Sequence, residues 1–68
     1  MRRKIKGYIF QFTRSDHDGR HIHVFVDDTE IGVFDRVDGP MRGLEGHLGK
    51  KLREALDEFI ALLDERSL

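Results

Sequence analysis

The 68-residue chain reads as an α+β domain, an antiparallel sheet of three or four strands followed by one C-terminal helix packed on one face. Three observations predict this. His21 to Val26 alternates so that His21, His23 and Phe25 share one side of a strand while Ile22, Val24 and Val26 share the other. Tyr8, Phe10 and Phe12 alternate in the same way. Beyond Gly49 the period changes: Leu48, Leu52, Ala55, Leu56, Phe59, Leu62 and Leu63 fall at helical spacing and form one apolar stripe.

Length and charge bound the function. Residues 1–68 make one small domain, which buries only about 60% of its unfolded surface, so a partner would add useful stability. There is no cysteine and therefore no disulfide. No early apolar run has the length of a signal peptide or a membrane span, so a soluble cytoplasmic protein with no membrane association is expected. Twelve basic and 13 acidic residues leave a net charge of -1. That balance disfavours a generic nucleic-acid binder, which needs a basic excess.

Taken in order, Arg2, Arg3, Lys4 and Lys6 make a basic, solvated start. Residues 5–13 are expected to form the first strand. Ser15-Asp16 and Asp18-Gly19 are turn formers, so residues 14–20 should link the first two strands as an antiparallel hairpin. The second strand is His21 to Val26. Asp27-Asp28-Thr29-Glu30 turns the chain into a third strand over residues 31–36. The expected register sets Val24 against Val33, Phe25 against Gly32, and His23 against Phe34. Asp38-Gly39-Pro40 signals a turn, with a short fourth strand expected over residues 41–44. The helix is expected over residues 48–66. It has no Ser, Thr, Asp or Asn cap. Its charges, Lys50, Lys51 and Arg53 first and Asp64 and Glu65 last, oppose the helix dipole, so it must depend on packing.

One helix covers one sheet face. Pairing Phe12 near Val24 and Phe10 near Val26 gives a core of Phe10, Phe12, Ile22, Val24, Val26, Ile31 and Val33. The outer face then carries Ile9, His21, His23, Phe25 and Phe34. That set is too apolar for a purely solvated surface and is expected to bind a protein partner or a second copy.

Gly7-Tyr8-x-Phe10-x-Phe12, the acidic loop, His21-Ile22-His23-Val24, Phe34-Asp35 and the final amphipathic helix together resemble a small bacterial family, domain of unknown function 4160. Its signature is Pro-Pro-His-Val-His-Val after an aromatic strand. Gly19 and Arg20 stand where the two prolines would be, and only His21 and His23 map onto the signature. The resemblance implies a β-rich sheet with a C-terminal helix and an arrangement like that of toxin–antitoxin pairs. It implies no activity.

Three functional readings compete. The favoured one is an interaction module using the outer face. The second is a small RNA-binding or RNA-cleaving toxin, with His21 or His23 as general acid or base and Arg14, Arg20 or Arg36 on phosphate. The third is a metal site in which His21 and His23, about 6.6 Å apart along a strand, join His17, Asp16 or Asp18. His-x-His alone is a weak metal signal, since zinc sites want three or four ligands. No metal or other cofactor is therefore expected, and the balance is against an enzyme. His47 reads as a loop residue.

Overall fold

The chain begins by doubling back on itself. In the computed structural model, which describes residues 1–13 and 19–68, Arg2–Ile5 (β1) pairs antiparallel with Tyr8–Phe12 (β2). Ile5 lies opposite Tyr8, so only Lys6 and Gly7 remain in the turn. Both have positive φ, 53° and 88°. That two-residue geometry matches the twist of the strands it joins, and Gly7 adopts it without a Cβ penalty. The strand expected over residues 5–13 thus begins only at Tyr8, and the basic start of the chain forms a further strand, so that the sheet has five strands where three or four were expected. The basic residues Arg2, Arg3 and Lys4 lie exposed on an edge strand, where charge discourages further pairing.

His21–Val26 (β3), Thr29–Asp35 (β4) and Gly39–Met41 (β5) complete a five-stranded antiparallel sheet in the order β1-β2-β3-β4-β5. The last strand both begins and ends sooner than the expected 41–44: Gly39 and Pro40, expected in a turn, belong to it, and the turn lies at residues 36–38. Arg42 and Gly43 turn the chain at φ 53° and 89°, and Leu44–Gly46 forms a 3-10 turn. One helix, Lys50–Glu65 (α1), follows.

Two registers differ from expectation, with opposite consequences. Phe10 pairs with Val24 and Phe12 with Ile22, a shift of two residues. A shift of two keeps every side chain on its face, so Phe10, Phe12, Ile22 and Val24 are core residues as expected. Between β3 and β4 a bulge places one extra residue, Ile31, between the pairs Val24–Gly32 and Phe25–Glu30. The shift from the expected register is one residue, which exchanges the faces of the following part of β4. Phe34 pairs with Ile22 and packs against the core, and Val33 shares the face of His23, where it is fully buried, as expected, but outside the helix-side cluster. Val26, expected inside, lies near the strand end and is 37% exposed. Ile31 is only partly buried against the core.

The helix packs on the inner face through Leu52, Ala55, Leu56, Phe59 and Leu63, all buried. The Phe59 ring stacks on Phe10 at 5.2 Å with 21° between the planes. Leu44 of the 3-10 turn is also fully buried and presses on Gly32. Gly49 caps the helix without a side-chain hydrogen bond, in line with the missing cap in the sequence. The unfavourable acidic end is answered from the sheet. Arg36 pairs with Asp64 at 3.0 Å, donates to the main-chain oxygen of Leu68 at 2.8 Å, and lies 5.6 Å from the centre of the Phe12 ring. A cation from the next layer thus occupies the place that a C-terminal lysine or arginine would fill.

Candidate functional site: the outer face of the sheet

Paired residues in adjacent strands point to the same side, so the register reads the outer face row by row. One row runs Lys4, Ile9, Phe25, Glu30 across β1 to β4. The next runs Arg2, Gln11, His23, Val33, Met41 across all five strands. A third contains His21, Asp35 and Gly39. Ile9, His21, His23 and Phe25 therefore lie on the face where the sequence places them. Phe34 does not: the bulge at Ile31 turns it toward the helix.

His21 and Asp35 belong to a buried polar lock. Asp35 is 1% exposed and His21 is 6% exposed. Asp35 Oδ1 accepts the backbone N–H groups of Val37 at 2.8 Å and Asp38 at 3.0 Å. Arg20 donates to both Asp35 oxygens, at 3.2 and 3.0 Å, and to Asp38 at 2.9 Å. His21 Nε2 lies 3.1 Å from Asp35 Oδ2. The Asp38 N–H holds the Asp35 carboxyl well below the usual carboxylate range, with the Arg20 hydrogen bonds, the Val37 N–H and the Arg20 charge adding to it and burial opposing. An ionised carboxylate only accepts, so Nε2 of His21 carries the proton that it donates.

An imidazole oriented by a carboxylate is a familiar catalytic arrangement, but a general base must reach its substrate. The His21 ring is buried and its Nε2 is committed to Asp35. A groove lined by Phe34, Leu48, Arg53, Leu56 and Asp57 lies on the helix side of the sheet, away from both histidines. The lock fastens the start of β3 to the end of β4 and shapes the turn that follows.

His23 is engaged separately. Its Nδ1 donates to Glu30 Oε1 at 2.7 Å. His21 and His23 thus reach different carboxylates, and among the described residues no three His, Asp or Glu side chains converge as metal ligands. Arg14, Asp16, His17 and Asp18, the further phosphate and metal candidates, lie outside the described residues. Of the other arginines proposed for phosphate, Arg20 is engaged by Asp35 and Asp38, and Arg36 by Asp64 and Leu68. His47 follows the 3-10 turn as an exposed loop residue.

The remaining outer surface is apolar in the middle and charged at its sides. Ile9, His23 and Phe25 are half-buried neighbours. Arg2 bonds to Gln11, and its guanidinium lies 5.3 Å from the centre of the Phe25 ring. Sequence reasoning missed Asp35, Glu30 and Arg2. The Asp35-x-x-Asp38-Gly39 pattern, an acid before a turn, was the available signal for the first. The other two depended on the register.

Asp35 makes a pH prediction. Its folded pKa is depressed, so the unfolded chain binds the proton more readily. The associated stability is fully present above the ordinary value of 3.8 and is lost as pH falls below it. The stability gap between wild type and Asp35→Asn should be constant near neutrality and shrink on acidification below about pH 4. Urea unfolding of both proteins along a pH series checks this; a gap that stays constant into strong acid would mean that Asp35 is not held ionised.

No family model, curated protein or solved structure matches the chain. The fold and the arrangement of the outer face therefore carry the functional argument. Among the described residues no helix is long and apolar enough to cross a membrane.

Proposed function

We propose that the domain is a small cytoplasmic interaction module that binds protein through the outer face of its sheet. The observation that carries this reading is the asymmetry of the two faces. The inner face is closed by α1 and the 3-10 turn, while Ile9, His23 and Phe25 stand side by side, half-buried, on the outer face, where the Arg2 guanidinium lies over the Phe25 ring. An aromatic and aliphatic centre with a polar surround is the usual composition of an interface hot spot. The resemblance to domain of unknown function 4160 adds the expectation of a paired arrangement of the toxin–antitoxin kind. Catalysis by the histidines is the weaker reading, because His21 is buried and bonded to Asp35 and His23 is bonded to Glu30.

Phe25→Asp tests the proposal. Phe25 is half-buried and lies outside the core cluster, so the variant should keep its fold, measured by circular dichroism and thermal unfolding. Its association, measured as native mass alone and with chromosomally neighbouring proteins, should fall by about tenfold or more. A folded variant that associates as well as wild type would place the interface elsewhere.

A further inference from the structure

We propose that the occupant of the outer face is a second copy of this chain, related by a two-fold axis that lies along the strands between β2 and β3. The inference rests on the interaction-module reading and names its partner. Across the outer face of β1 to β4 runs the row Lys4, Ile9, Phe25, Glu30. It begins with a cation, has two apolar residues in the middle and ends with an anion. Such a row is complementary to itself when reversed. A two-fold axis along the strands reverses it while keeping its height in the sheet. β1 then lies over β4 of the other copy, and β2 over β3.

Lys4 meets the partner's Glu30, Ile9 meets the partner's Phe25, and each contact occurs twice, as a two-fold interface requires. In the next row Gln11 meets the partner's His23. The strands of the two sheets stay nearly aligned, the usual geometry of a two-sheet sandwich. Glu30 has capacity for the contact. One of its oxygens accepts from His23, and its side chain is 41% exposed. Lys4 and Glu30 of one chain cannot pair with each other. Three strand spacings of about 4.8 Å separate them, roughly 14 Å in all. The Arg2 guanidinium lies over the Phe25 ring and swings aside when the partner's Ile9 takes its place. The face is about 19 Å wide across five strands, and closing it against its copy gives a sheet-on-sheet core on the side of the sheet opposite α1.

The test is a charge exchange between chains. Native mass and dissociation constant are measured by analytical ultracentrifugation from micromolar to submillimolar protein. Wild type should dimerise, and more weakly as salt is raised. Lys4→Glu and Glu30→Lys each create two like-charge contacts and should weaken the dimer about tenfold or more. An equal mixture of the two variants should recover it, because each chain then meets the opposite charge on its partner. Glu30→Gln keeps an acceptor for His23 and should also weaken the dimer, which guards against a folding defect in the lysine variant. A monomeric wild type, variants as dimeric as wild type, or a mixture without recovery would each overturn the proposal. The wider reading fails separately. A monomeric wild type that still binds a different chain in a Phe25-dependent way overturns the self-pair alone, whereas a monomer whose complexes are indifferent to Phe25→Asp overturns both.

Discussion

Phe59→Ala is expected to lower stability by about 3–5 kcal/mol. Phe59 is fully buried and stacks on Phe10, at the centre of the contact between α1 and the sheet. Removing the ring loses the transfer free energy of the aromatic and leaves a cavity that a helix with no side-chain cap is poorly placed to close. Small domains are stable by only about 5–15 kcal/mol, so the loss should move the urea midpoint far toward water. A loss under about 1 kcal/mol would show that the helix does not dock through this residue.

The second large effect is expected at Gly32. A Cβ there would lie 2.6 Å from both the backbone nitrogen and the Cβ of Leu44, and 2.7 Å from its Cα. The obstacle is main chain, which cannot rotate away as a side-chain tip can. Gly32→Ala should therefore displace the 3-10 turn and cost about 1–3 kcal/mol or more, the range for overpacking a core. The Gly46 and His47 amides, which donate to Gly43 and Leu44 in that turn, should lose protection in amide exchange ahead of the rest of the fold. A variant as stable as wild type would mean that Leu44 does not sit on β4. The same geometry corrects the expectation that Phe25 covers Gly32 from the facing strand. Gly32 faces Val24 and the inner layer, where Leu44 needs the space.

How much of this was legible follows from which signals are periodic. The apolar stripe from Leu52 to Leu63 and the alternation of β3 repeat over several residues, and both elements formed where that pattern placed them. The extra strand Arg2–Ile5 rests on a turn with Lys6 in a left-handed conformation, which lysine does not advertise. The bulge at Ile31 is one residue with no local mark, yet it moved Phe34 from the proposed binding face to the core side and Val33 the other way. The polar lock was hidden for a related reason. His21 drew attention as a reactive side chain, while the residue that organises it, Asp35, lies 14 positions away and meets it only through the ladder. Arg36 and Asp64, which offset the unfavourable charge order of the helix, are 28 residues apart.

The order in which the elements occur along the chain has a consequence for refolding. Each strand pairs with its neighbour in sequence, so the sheet can close by local steps. Its aromatic inner face, with Phe10 and Phe12, is covered only when α1 docks from the far end of the chain. A chain whose sheet has closed before α1 docks offers its most apolar surface to its surroundings, and that is the stage at which it is most vulnerable to aggregation and most accessible to chaperones.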